Sequence, residues 1–395
     1  MKILVVCQYY APEPFRIADI CESLVARGHS VTVVTGTPNY PEGVIYPGYE
    51  KGAHRDETVN GVKIHRCPII PRKEGTIYRF LNYYSFPSSA KLYQMTQKED
   101  YDVVFVNQLS PVMMAEPAMA WAKKHKKKCV LYCLDLWPES LTVGGIESMS
   151  PIYRFFLGVS KHIYRQANAI AVSSWGFAEY FRNLLGIRET PISYLPQYAE
   201  ELFDDLTQPD PRKKTVDFLF AGNIGTTQSV ETIIEAASML QDDPRIRIHI
   251  VGGGSSLEHC QELAKDLPNV IFYGRRPLEE MKKFYAMADG MLITLVGNLT
   301  MSATLPGKAQ SYMAAGKPMV GCANGETARV IWEAECGECA PAGDGRELSK
   351  IMLRMANNPK ARKRYGENAR KYYMQHFRKE GFMDDLCSLL EKNCR

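Results

Sequence analysis

The chain alternates short apolar runs with amphipathic stretches, and it does so twice. In the first half, apolar runs occupy 2–7, 31–35, 62–66, 102–106, 129–133 and 169–173. Runs of that length suit buried strands. Between the first two, Ile17, Ile20, Cys21 and Leu24 share one face of a helix that stops at Arg27-Gly28-His29. The order predicts a parallel sheet with helices on both faces. A second series begins near 216, with strands expected at 216–221, 246–251, 270–273, 290–295 and 318–321. The polar stretch 196–215, with Pro196, Pro209 and Pro211, reads as the linker. The expected fold class is therefore α/β, with two Rossmann-like domains facing across a cleft. The expected domains are 1–199 and 200–375, and a helical segment over 376–395 has no strand after it and could cross back to the first domain. Ligands of such sheets bind beyond the carboxyl ends of the strands, and the cleft is the default active site.

Two segments of the second series carry chemistry. The run 216–221 ends at Gly222, and the loop Gly222-Asn223-Ile224-Gly225 leads into an amphipathic run with Val230, Ile233, Ile234 and Ala237 at helical spacing. A glycine-bearing strand–helix turn lets backbone N–H groups approach a phosphate. The same pattern also suits an ordinary tight turn. The second segment is Leu305-Pro-Gly-Lys-Ala-Gln-Ser-Tyr-Met-Ala-Ala-Gly-Lys-Pro318. Pro306 fits a first helical position and Gly316-Lys317-Pro318 a stop, giving a helix of roughly ten residues. Lys308 falls in its first turn, where the helix dipole disfavours a cation. A lysine placed against that bias suggests an anion to meet; a lysine that simply points into water is the plain alternative.

Composition narrows the class. At 395 residues the chain exceeds one compact core. Hydrophobic content of 45% with 23% charge marks a soluble globular protein. A net charge of +4 from 48 basic and 44 acidic residues is too balanced to argue for nucleic acid. Cys336-Gly-Glu-Cys339 is a CxxC pair without a second pair, so neither zinc nor any other metal is expected. Ile3-Leu-Val-Val-Cys7 is too short for a signal peptide, and no apolar run has the length of a membrane span. The expected location is the cytoplasm, with free thiols.

With these motifs in order, the chain resembles retaining nucleotide-sugar glycosyltransferases of the GT-B fold (glycosyltransferase family 4-like), nearest to the branch that builds bacterial capsule, exopolysaccharide and O-antigen. Met1-Lys-Ile-Leu-Val-Val, Tyr10-Ala-Pro-Glu13, Gly28-His29-Ser-Val-Thr-Val33 and Pro38-Asn-Tyr-Pro41 look like the family's first domain. Asp135-Leu-Trp-Pro-Glu139 looks like its acceptor-side loop. Gly222-Asn-Ile-Gly225, Val251-Gly-Gly-Gly254, Leu305-Pro-Gly-Lys308 and Ala315-Gly-Lys-Pro318 look like its donor domain. The resemblance implies that Gly222, Asn223, Ile224, Gly225, Gly253, Leu305, Pro306 and Lys308 lie about the donor diphosphate. It also implies that Gly274 and Arg275 lie by the nucleotide base and that Glu326 lies close to the donor. The donor would be a UDP-sugar, no cofactor would be needed, and the acceptor would be a lipid-diphosphate-linked saccharide.

The chain departs from the family at several positions. Many relatives carry two glutamates where this chain has Ala303 and Ser311. The usual Arg and Lys of the first phosphate loop appear as Asn223 and Gln228, and Phe15 and Arg16 stand where glycines are common. Arg16 could face the donor phosphate or the acceptor. For the chemistry, Lys308 would stabilise charge on the departing diphosphate. The resemblance implies retention, with the departing phosphate helping to deprotonate the acceptor; Asp135 is the spare carboxylate, or else a cap or buried partner.

Residues 71–98 mix Arg72, Lys73, Arg79, Lys91 and Lys98 with six aromatics, and Lys123-Lys-His-Lys-Lys-Lys128 adds a basic run. Such a mixture suits peripheral contact with an anionic membrane, at the inner face of the plasma membrane; it also suits a helix with an aromatic core face. Two other readings stand beside the transferase: a UDP-sugar epimerase, and a non-catalytic nucleotide-sugar-binding subunit.

Overall fold

The computed structural model describes residues 1–71, 76–143, 145–148, 150–203, 206 and 213–394. Arg72, Lys73, Pro209 and Pro211 lie outside them, as does the Arg79 side chain. The chain folds as two compact units. One comprises Met1–Ser173, Phe177–Leu195 and Met383–Arg395; the other comprises Ser174–Gly176 and Pro196–Phe382.

In the first unit the described residues form an eight-stranded sheet. Its strands are β1 (Lys2–Val6), β2 (Ser30–Gly36), β3 (Asp56–Val59), β4 (Val62–Cys67), β5 (Val103–Gln108), β6 (Lys128–Cys133), β7 (Ala169–Val172) and β8 (Ile192–Tyr194). Their order is β3-β4-β2-β1-β5-β6-β7-β8. β1 lies between β2 and β5, with Ile3 opposite both Val31 and Val103, so the winding reverses there. Ile17, Ile20, Cys21 and Leu24 of the helix Ile17–Ala26 are buried, as their spacing predicts. The sheet is not purely parallel: β3 runs antiparallel to β4. The two are joined by Asn60-Gly61, both at positive φ, the chemistry of a tight hairpin turn. β3 and β8 had no apolar signature because they are short, incompletely buried edge strands.

The second unit holds β9 (Val216–Ala221), β10 (Ile246–Val251), β11 (Val270–Gly274), β12 (Gly290–Thr294), β13 (Met319–Cys322) and β14 (Gly337–Ala340). All pair in parallel, in the order β11-β10-β9-β12-β13-β14. Winding reverses between β9 and β12. Alternate residues of β9 enter two cores. Phe218 and Phe220 pack with Val230 and Ile233, while Leu219 and Ala221 pack with Ala309 and Tyr312. The start of the expected linker belongs to this unit: Tyr198, Ala199 and Phe203 are buried, and Phe203 stacks on Tyr285 with centroids 4.3 Å apart. Its prolines suggested a loop, but its apolar residues complete a core.

Candidate active site

The carboxyl end of β9, at the reversal of winding, is built from glycine. Gly222 has φ of +144°, and Gly252, at the end of β10, has φ of +149°. A Cβ on Gly252 would sit 1.8 Å from the Gly222 carbonyl oxygen, so only glycine lets the two loops touch. Hydrogen bonds fix this contact. The Gly222 amide donates to Val251 O at 2.9 Å, Ile224 to Gly253 O at 3.0 Å, and Gly252 to Gly274 O at 2.9 Å. The loop is therefore only partly open to an anion. The Gly222 and Ile224 amides are consumed by the fold, and among the described residues those of Asn223 and Gly225 make no bond.

Lys308 opens the helix Lys308–Ala314, shorter than the sequence suggested because Pro306 and Gly307 form the preceding turn. The helix is tied to β9 by Tyr312, a residue the sequence reading passed over. The Ala221 amide donates to its hydroxyl at 3.0 Å, and that hydroxyl donates to Ala221 O at 3.1 Å. Lys308 lies one turn away and extends past Gly222. A Cβ at Gly222 would meet the lysine Nζ at 3.0 Å. Nζ ends 3.8 Å from the centroid of the Phe220 ring. There it is closed off from solvent, with no hydrogen-bond partner among the described residues. Burial pushes the ammonium down to about 7.

Lys317, nine residues on, is the instructive contrast. It too is buried, and burial pushes it down to about 8. Its Nζ, however, donates to Ala286 O at 3.2 Å and Ala288 O at 2.9 Å. The fold completes the hydrogen bonds of one buried lysine and leaves the other without an acceptor. An unpartnered buried ammonium is costly, and this one lies at a glycine-walled strand end.

The other candidate residues divide. Arg275 lies across Gly253: a Cβ there would be 2.9 Å from the arginine Cγ. Gly274 supplies the carbonyl that holds Gly252. Asn223 donates to Gln228 Oε1 at 3.2 Å, so the two residues found in place of the usual cations bind each other. Leu305 is buried in the core, and only its backbone could meet a ligand. Pro306 O accepts from the Ala309 amide at 2.9 Å.

Glu326, in the first turn of the helix Gly325–Glu333, is buried and occupied. It accepts from Arg329 Nη2 at 2.8 Å and Nε at 3.0 Å, and from the Trp175 amide at 3.2 Å. Two findings bear on the missing glutamates. Ser311 donates to Glu200 Oε2 at 2.9 Å, so a carboxylate reaches this position from elsewhere in the chain. Ala303 is covered by the chain at 174–176: Ser174 Oγ donates to Ala303 O at 2.6 Å, and a Cβ on Gly176 would lie 2.6 Å from Ala303 Cα.

Arg16 and Asp135 belong to the first unit. Arg16 occupies the N-cap position of the helix Ile17–Ala26 without a side-chain capping hydrogen bond, and is near enough to Tyr132 to favour its ionised form electrostatically. Asp135 follows β6. Ser110, after β5, donates to its carboxylate and is 2.8 Å from Ser140 Oγ. Burial pushes the Asp135 carboxyl up to about 6, against the opposing pull of Ser110 and the Leu136 amide. Glu139 has a structural role, accepting from the hydroxyls of Tyr153 and Tyr180.

The helix Thr76–Thr96 divides its aromatics between two faces. Phe86 is buried, Tyr83 meets Trp137 edge-on, and Tyr93 stacks on His65. Tyr78, Phe80 and Leu81 are exposed. No helix among the described residues is long and apolar enough to cross a membrane, and among them no cluster of His, Cys, Asp and Glu has the makings of a metal site.

Comparison with known proteins covers both units. Residues 15–197 match the Glycosyl transferase 4-like domain family, and residues 204–372 match the Glycosyl transferases group 1 family. WcaI of Escherichia coli (strain K12), named as a colanic acid biosynthesis glycosyl transferase, is 26% identical over 346 residues, 80% of this chain and 82% of that one. The O-antigen chain mannosyltransferase C of Escherichia coli is 24% identical over 176 residues, 44% of this chain and 45% of that one. Among solved structures, a sucrose-phosphate synthase from Thermosynechococcus elongatus superposes with a TM-score of 0.75 at 16% identity, covering 99% of both chains. HepE of Anabaena, solved with UDP, gives 0.72 at 13% identity, covering 99% of this chain and all of that one. Both halves of the chain match glycosyltransferase domains, and the chain belongs to the GT-B-fold glycosyltransferases related to those of bacterial polysaccharide synthesis.

Proposed function

We propose that the chain transfers a sugar from a UDP-sugar, with retention of configuration, to a lipid-diphosphate-linked saccharide. The observation that carries this reading is the enclosed Lys308 Nζ, unpartnered beside Gly222. A diphosphate there would supply the missing acceptor and restore the lysine's charge. The Asn223 and Gly225 amides would add donors, and Arg275 a second cation nearby. UDP is the nucleotide in the Anabaena relative's structure; an N-acetylhexosamine or a deoxy relative is the sugar class in keeping with the resemblance.

As the glycosidic bond to the diphosphate breaks, negative charge grows on the leaving oxygen. A fixed ammonium in a desolvated site stabilises that charge more than it stabilises the ground state. The departing phosphate takes the acceptor proton on the same face. Asp135, with Ser110 and Ser140, is the acceptor-side carboxylate suited to hold an incoming hydroxyl. The alternative of a non-catalytic subunit would keep nucleotide binding and lack transfer.

Calorimetry with UDP, GDP and a set of UDP-sugars, with and without magnesium, tests the donor site. We expect UDP and one UDP-sugar to bind without metal, and Lys308→Ala to abolish that binding and lower turnover by about ten- to a thousand-fold. Wild-type turnover in Lys308→Ala would remove the lysine from the mechanism. Peripheral membrane contact is part of this reading. Tyr78, Phe80 and Leu81 are exposed on one helix and Ile152 and Phe155 on another, and both helices pack against Trp137. Liposome flotation should recover the protein with anionic vesicles at low salt; absence of binding there would end the proposal.

A further inference from the structure

Three aromatic rings cluster in the first unit where β1 and β2 end. Tyr9 follows β1, Phe15 precedes the helix Ile17–Ala26, and Tyr40 lies in the loop after β2. Tyr9 and Phe15 are stacked, with centroids 5.2 Å apart and planes 15° apart. Tyr40 completes the group, 5.5 Å from Tyr9 and 5.0 Å from Phe15, tilted by 53° and 55°. This is not a core cluster. Tyr40 is 42% exposed, and the other two rings are half-buried.

The rings are held in place before any ligand arrives. The buried Glu13 carboxylate accepts from the Asn39 and Tyr40 amides, both at 2.8 Å, and from the Tyr10 amide at 3.2 Å. One side chain thus pins the Tyr40 loop to the Tyr9–Phe15 loop. Gln8, next to Tyr9 in the chain, is 2% exposed. Its Nε2 donates to the Tyr9 hydroxyl at 3.3 Å, while its Oε1 has no hydrogen-bond partner among the described residues. A buried amide oxygen without a donor, beside an open ring cluster, is complementary to a hydroxyl group.

Aromatic faces at a strand end, with phenol hydroxyls at their edges and an unpartnered amide oxygen on the neighbouring Gln8, match a pyranose. Its C–H face lies on the negative face of a ring, and its hydroxyls find polar partners at the rim. Three rings offer far less area than a protein partner requires, which is about 1,000 Å² or more. We propose that Tyr9, Phe15 and Tyr40 form a stacking platform for a sugar ring of the acceptor saccharide. Assigning the ring to the acceptor rests on the transferase reading above.

The test is saturation-transfer difference NMR on the full chain, irradiating aromatic protons. The probes are the methyl glycosides of glucose, galactose, mannose, fucose and N-acetylglucosamine. We expect transfer to the ring C–H protons of at least one glycoside. Tyr40→Ala should weaken it by about tenfold in affinity, the scale of one stacking contact, and Tyr40→Phe should retain it. No transfer to any glycoside, or transfer unchanged in both Tyr40→Ala and Phe15→Ala, overturns the platform. Displacement of the glycoside by UDP-glucose would give the ring to the donor and overturn the acceptor assignment. UDP calorimetry on the same samples separates the two readings: UDP bound without a sugar signal defeats the platform alone, and a sugar signal without UDP binding defeats the donor site.

Discussion

Lys308 shows what a single position reveals and conceals. Its place in a first helical turn, against the dipole, was visible in the sequence and pointed to an anion. That Nζ is enclosed over Phe220 was not visible, because it depends on Gly222 letting the side chain past the end of β9. Leu305 is the opposite case: its motif was legible in the sequence, and the burial of its side chain was not. Glu200 could not have been found at all, since its bond to Ser311 joins residues 111 positions apart.

The state of Lys308 leads to a pH prediction. Burial pushes it down to about 7 in the folded chain, from an ordinary value of 10.5. Between those values the unfolded chain holds a proton that the folded one lacks, so this group makes stability rise with pH across that window. Bound diphosphate should raise the lysine's pKa. UDP binding above pH 7 should therefore take up a proton and weaken by up to about tenfold per pH unit. Calorimetry in buffers of different ionisation enthalpy measures the uptake; an identical apparent enthalpy in all of them at pH 8 would contradict it.

At the level of elements, the site depends on how the helix Lys308–Ala314 is set against β9, and Tyr312 sets it. Tyr312→Phe removes both hydrogen bonds and keeps the ring. It should lower stability by about 1–3 kcal/mol and raise the Kd for UDP several-fold while the bound nucleotide still induces proton uptake. A variant with lowered stability and unchanged UDP affinity would reduce Tyr312 to a core residue. The strands of both sheets were legible where they are apolar, within a residue or two at their ends. β3, β8 and β14 were not, for a shared reason: each lies at a sheet edge, is three or four residues long, and needs no continuous apolar run. The Asn60-Gly61 pair could have signalled the β3–β4 hairpin had it been weighed beside the neighbouring Val59 and Val62.

At the level of the whole chain, the last helix is bound up with the first residues. Met383, Leu386 and Leu390 of the helix Lys379–Lys392 are buried, and Arg27 pairs with Asp384 at 2.5 Å. Sequence placed a helix here, but its partner lies more than 350 residues away, beyond the reach of any local pattern. Leu390→Ala should destabilise the first unit by about 2–5 kcal/mol, read as a lower midpoint in denaturant, with the proposed donor site of the second unit unaffected. An unchanged midpoint would mean that the terminal helix contributes nothing to that unit.

The enclosure of Lys308 also has a kinetic meaning. A pocket whose ammonium is half-neutral near pH 7 and hidden from solvent projects little field into the surroundings. Any long-range pull on a nucleotide at the proposed site would come from the exposed Arg275 instead. On the proposed donor reading, Lys308 acts only at contact, and discrimination between nucleotides would fall to residence time: a diphosphate that charges the lysine would stay, and a ligand that cannot would leave.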